Sequence, residues 1–344
     1  LSNKKWILPV IVIAQFCCTS LWFASNGAIN DLIANFQLSY QALGHLTSVI
    51  QFGFITGTLT FAVLTIADRF SPSHVFFVCG IAGLGFLVGA LVLGTALPHL
   101  LKGITTEITW KSLIFIISGL AVIGSFLILL LVADGPYRKK SQQPDFSQWL
   151  SVFKHNRFRA AAFGYFGHMW ELYAFWAFIP VILNYKLGND ILPYDISILS
   201  FVIIGIGSLG CVVGGYLSER YGTQKIATIA LCLSLICCLI SPIMLSFNNP
   251  EILIVFLLFW GIVVIADSPL FSTLVATNAN PQSKGTALTI VNCIGFAITI
   301  ISIQLLNYLN QYLDLINILW LLAIGPIIGL IFLMSNTKAT ATKL

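Results

Sequence analysis

Two carboxylates, Glu171 and Asp267, sit near the middle of apolar stretches that hold no Lys, no Arg and no second acid. An ionised group at the centre of a bilayer costs about 2.5–3.5 kcal/mol even on mild insertion scales, so it ordinarily faces a cavity or pathway. Glu171 stands in Gly167-His168-Met169-Trp170-Glu171-Leu172-Tyr173-Ala174-Phe175-Trp176. His168 precedes it by one helical turn, which would put both side chains on one face. An acid and a His among Trp170, Tyr173 and Trp176 read as the wall of a binding cavity. An apolar cavity favours a neutral carboxyl, so Glu171 could take up and release a proton; His168 could instead hold it ionised. A structural hydrogen-bonded pair between helices is the plainer alternative.

Asp267 lies in Ala266-Asp267-Ser268-Pro269-Leu270-Phe271-Ser272. Pro269 removes a backbone donor and frees a carbonyl one turn back. Broken backbone at membrane depth is tolerated only against protein or a wet cavity. Asp267, Ser268 and Ser272 therefore form a candidate solute- or ion-binding patch, with a brace for the kink as the structural reading. Weaker cavity candidates are Trp22, Asn26 and Gln51, in two stretches of unusually polar character. Hydrogen bonds between helices would explain the same residues. His99 follows Pro98 near a helix end and reads as interfacial.

The elements that must position these groups are set by composition. Hydrophobic residues make up 58% of the chain and charged ones 8%, against roughly 25% charged in soluble domains. Ten stretches are long enough to cross ~30 Å of hydrocarbon: Trp6–Ile29, Ala42–Ile66, His74–Leu101, Ser112–Val132, Ala160–Val181, Ile196–Leu217, Ile226–Phe247, Ile252–Ala276, Gly285–Tyr308 and Leu315–Met334. Barrel strands would be shorter and alternating, so the expected fold is an all-α polytopic bundle. Of the 17 Lys and Arg, only Lys102, Lys111 and Lys186 fall on one side. This bias places both termini in the cytoplasm and the chain in a plasma or inner membrane. The basic residues punctuate apolar spans and form no basic face, so the net charge of +5 does not point to nucleic acid. All eight Cys fall inside spans without metal-ligand spacing, as small packing residues would. Neither a cofactor nor a metal site is expected.

Residues 1–136 read as a first half, 137–158 as a cytoplasmic linker with an amphipathic stretch (Phe146, Trp149, Leu150, Phe153), and 159–344 as a second half. The loop after the second span reads Ile66-Ala67-Asp68-Arg69-Phe70-Ser71. The loop after the sixth reads Leu217-Ser218-Glu219-Arg220-Tyr221-Gly222. Two acid-Arg-aromatic-small loops at matching positions suggest an internal parallel repeat.

On these loops the chain resembles the major facilitator superfamily, whose repeated motif reads Gly-x-Leu-Ala/Ser-Asp/Glu-Arg-x-Gly. The copy Gly215-Tyr216-Leu217-Ser218-Glu219-Arg220-Tyr221-Gly222 is complete. The first copy has Leu64 and Ser71 in place of its glycines. The resemblance implies a two-half bundle and secondary transport of a small solute by alternating access; Glu171 with His168 makes protons a candidate coupling ion. It gives Asp68, Arg69, Gly215, Glu219, Arg220 and Gly222 a part in locking the cytoplasmic gate. The family carries six helices per half, whereas the first half here holds four spans. His74–Leu101 looks like the start of a third helix fused near Gly80–Gly85 to the end of a fifth. A monomer in the bilayer is expected, and no enzyme. The alternatives are a decayed or non-transporting membrane protein or sensor, and an intramembrane enzyme using the buried acids.

Overall fold

The computed structural model describes residues 6–39, 41–63, 72–105, 107–132, 151–188, 193–280 and 284–341. Every regular element among them is helical. The first half contains α1 (Ile7–Thr19), α2 (Ala24–Gly27), α3 (Ile29–Phe36), α4 (Ala42–Val63), α5 (Pro72–Ile104) and α6 (Trp110–Leu131). A 3-10 turn at Ser151–Lys154 leads into α7 (Asn156–Leu187), α8 (Pro193–Gly205), α9 (Gly207–Tyr221) and α10 (Thr223–Ser246). The chain continues through α11 (Pro250–Ala266), α12 (Ser268–Asn278), α13 (Lys284–Leu309), two further 3-10 turns, and α14 (Ile324–Ala341). Of the linker's amphipathic stretch, Phe146, Trp149 and Leu150 lie outside the described residues; Phe153 packs edge-on against Phe158 of α7.

Eight described helical segments are long and apolar enough to cross a membrane. The ten crossings expected from sequence also include Ala42–Ile66, of which α4 covers Ala42–Val63 with side chains described only to Leu59, and Trp6–Ile29, which is not one helix. It breaks after Thr19. There the Thr19 hydroxyl bonds the Gln15 carbonyl at 2.8 Å and the Ser20 hydroxyl bonds that of Cys17 at 2.7 Å. Such back-bonding competes with the helical ladder and bends it. The turn that follows swings Trp22 and Phe23 inward, where both are buried. By contrast, Pro72–Ile104 is one continuous helix, so the stretch that looked fused in sequence runs through without a break.

α7 is the axis of the bundle. In its most apolar window 83% of residues are buried, against 17% for α6. It packs on α12, α13 and α14, while α1 packs on α5 and α6. The two halves meet along two seams, α4 on α13 and α5 on α8 and α9. Lipid tails give no hydrophobic drive between helices, so close backbone approach must supply contact. Glycines permit it. A Cβ on Gly207 would lie 2.8 Å from the Gly261 carbonyl, and one on Gly214 2.7 Å from that of Ala266. These positions weld α9 to α11, and the GxxxG spacing of Gly210 and Gly214 serves that contact.

Candidate functional site

Six rings from four spans meet where the two halves join. Trp22 lies 4.1 Å from Phe54 of α4, 5.1 Å from Tyr173 of α7 and 5.6 Å from Phe296 of α13, centroid to centroid. Phe23 and Tyr173 both meet Trp176 edge-on. Trp22 is held in place by its Nε1–H, which donates to Gln51 Oε1 at 3.2 Å. Trp22, Gln51, Tyr173 and Trp176 thus sit together, as a cavity lining would, but they fill the space with their own rings.

On one side of this cluster, at the bundle end away from Gly222, opens a vestibule of about 480 Å³. This distal vestibule takes walls from both halves: Asn26, Asn30, Gln41 and His99 from the first, Asn184, Ser200, Asn307, Asn310 and Gln311 from the second. Its floor is set by a tight crossing. Gly27 sits so close to Pro98 that a Cβ would come within 2.7 Å of the proline ring. That contact holds His99 against the cavity at 2% exposure, a correction to its interfacial reading. Asn26 Oδ1 accepts from the Thr47 hydroxyl at 2.9 Å. Asn26 Nδ2 and His99 Nε2 are buried without a hydrogen-bond partner among the described residues. Gln304 of α13 reaches across to the Gly44 carbonyl (3.1 Å) and the Ser48 hydroxyl (2.8 Å), and Asn307 donates to the Gln41 carbonyl (3.0 Å). These bonds close one side of the vestibule. Lys102 pairs with Asp31 at 2.8 Å nearby, within the first half.

The two acids lie elsewhere. Glu171 is 1% exposed, and its Oε1 accepts from Ser234 Oγ of α10 at 2.5 Å and from Trp260 Nε1 of α11 at 2.6 Å. Asp267 occupies the break between α11 and α12, also 1% exposed, with Oδ1 2.7 Å from His168 Nδ1. That contact is close in distance but lacks hydrogen-bond angles, and His168 Nε2 and Asp267 Oδ2 have no hydrogen-bond partner among the described residues. Every one of these groups belongs to the second half. Neither acid lines the vestibule.

The expected pairing therefore changes: His168 goes to Asp267, and Glu171 turns to α10 and α11. The patch of Asp267, Ser268 and Ser272 does not form either. Ser272 is exposed and spends its hydroxyl on the Ser268 carbonyl at 3.0 Å. Trp170 points away from the seam, donating to the Leu321 carbonyl at 3.2 Å and packing against Gly325 of α14.

The sequence matches the family model of the Major Facilitator Superfamily over residues 66–304. The chain belongs to that superfamily. No curated protein matches it. Solved structures do, at the level of fold. The E. coli fucose:proton symporter FucP is similar over 96% of this chain and 98% of its own, with a TM-score of 0.62 at 14% identity. A structure of the nucleoside transporter NupG gives 0.65 at 14% identity, covering 97% of this chain and 99% of that one. This superfamily member is accordingly an integral membrane protein and a secondary transporter.

Of the superfamily loop motif, Asp68 and Arg69 lie outside the described residues. The second copy is described. Gly215 is buried on α9 and accepts from the Ser218 hydroxyl at 2.7 Å. Gly222 has φ +93°, a conformation that side chains disfavour, and it joins α9 to α10 without a connecting loop. Glu219 and Arg220 are exposed at this turn, with the Arg220 guanidinium 5.4 Å from the Tyr221 ring. Of the vestibule's amides, sequence reasoning named Asn26 alone and missed the rest of the set. Its one legible trace is Asn307, Asn310 and Gln311 at helical spacing where the α13 span ends.

Proposed function

We propose that the transporter carries a small solute by alternating access, receiving it in the distal vestibule and passing it through the aromatic cluster as the halves rock. The observation that carries this reading is the position of the cluster. Trp22 and Phe54 from one half close on Tyr173 and Phe296 from the other, directly beneath a cavity lined by both. A plug built across the seam opens when the halves move. The bias of Lys and Arg assigns the vestibule to the outer face of an inner membrane, with both termini and the Gly222 turn inside.

The coupling ion in this reading is the proton, and the His168–Asp267 pair is its carrier, with Glu171 bracing the same lobe. A buried acid–His contact whose outer atoms lack partners among the described residues is costly to maintain, and such intramembrane groups mark proton relays. The fold-level neighbour FucP is named a proton symporter, which supports the same view. The Asp267 site sits at a helix break, where rocking would change its surroundings.

Purified protein in liposomes tests this. Solute should cross chemically unchanged, and an imposed proton gradient should drive it uphill. Asp267→Asn and His168→Gln should lose the gradient-driven component while keeping solute exchange. Gradient-driven uptake intact in both variants would remove the pair from coupling. Chemical conversion of the solute, or no flux of any solute by folded protein, would defeat transport itself.

A further inference from the structure

We propose that the distal vestibule binds an uncharged, hydroxyl-rich solute of about monosaccharide size. The assignment rests on the transport reading for the place of the site, and on the side chains for its chemistry. About 480 Å³ lies within the range of small-molecule pockets, roughly 300–1,000 Å³. Among the described residues that line it, none is Asp, Glu, Lys or Arg. The neighbouring ions Lys102 and Asp31 satisfy each other at 2.8 Å and stay outside the lining. A charged solute would leave water and meet no countercharge there, a heavy desolvation cost.

Amides dominate instead. Asn184, Asn307, Asn310 and Gln311 surround the cavity from the second half, and Asn26 and His99 form its depth. An amide offers both donors and acceptors on one planar group. A hydroxyl does the same, so a ring of amides suits several hydroxyls better than it suits any single charge. The two deep residues give the second observation. Asn26 and His99 are each 2% exposed, and Asn26 Nδ2 and His99 Nε2 have no hydrogen-bond partner among the described residues. A buried polar group left unmade is expensive, and a ligand that supplies the missing partner gains that energy on binding. Sites that hydrogen-bond a hydroxyl also reject analogues lacking it strongly.

The test is equilibrium binding by calorimetry to purified full-length protein. The panel is neutral pentoses, hexoses and their polyols, each beside its uronate and amino counterpart. At least one neutral member should bind, and its uronate and amine should bind at least tenfold more weakly. His99→Leu should weaken the neutral ligand about tenfold or more. Asn310→Leu, at an exposed rim position that does not burden folding, should weaken it severalfold. Binding of no neutral member, equal or tighter binding of a charged counterpart, or an unchanged affinity in both variants would overturn the assignment. Liposome flux separates it from the transport reading: flux of charged solutes alone sinks the ligand class and leaves transport standing, and binding of a neutral solute without flux does the reverse.

Discussion

Glu171 shows how a single residue can be legible in a sequence while its environment is not. Its depth within an apolar span announces a functional or structural exception. Its partners Ser234 and Trp260 lie 63 and 89 residues away, beyond any spacing rule, and both pull it into the second lobe. If those bonds brace the lobe, Glu171→Leu strands two buried donors at about 1–3 kcal/mol each. Glu171→Gln keeps an acceptor oxygen. Thermal unfolding followed by Trp fluorescence should therefore show a clear drop in melting temperature for the Leu variant and a small one for Gln. A Leu variant as stable as the wild type would contradict the brace. The vestibule was illegible for the opposite reason. Asn26 reads only as a weak candidate, Asn184 and Asn310 are ordinary polar residues at span ends, and only the packing of six spans completes the cavity.

Elements were easier to read than sites, because a bilayer demands about 20 apolar residues per crossing. Breaks within them were harder. Pro269 flagged the α11–α12 interruption, but no Pro marks the end of α1, where two hydroxyls turn back on their own helix. Helix contacts follow the glycines, and this can be checked by contrast. A methyl on Gly214 would press on the Ala266 carbonyl at 2.7 Å, whereas Gly53 of α4 has open space within 4 Å. Gly214→Ala should cost about 1–3 kcal/mol through overpacking and lower the melting temperature. Gly53→Ala should leave it unchanged or slightly raised. Equal effects at the two positions would mean that the α9–α11 approach is not what holds the lobe.

For the whole molecule the two-half plan follows from the repeated loops, yet the halves are unlike in build. Among the described residues, α4 packs on α13 of the opposite half and only lightly on α2 of its own. It exposes Val49, Phe52 and Leu59 along one face. An apolar face of that kind suits contact with lipid tails. The consequence bears on mechanism. Alternating access requires the distal ends of α4 and α13 to part, although these two helices are tied by Gln304, Asn307, Gly44 and Ser48.

A reversible crosslink at that tie is the most direct measurement. An ideal Cβ on Gly44 would lie 2.9 Å from the Asn307 Cβ, close enough for a disulfide after slight relaxation. Solute flux into liposomes is compared for the Gly44→Cys, Asn307→Cys double variant before and after oxidation, with each single variant as control. The account expects flux in the reduced protein, near-complete loss on oxidation of the pair alone, and recovery on reduction. Full flux through quantitatively crosslinked protein would show that α4 and α13 travel together, and would contradict passage between two rocking halves.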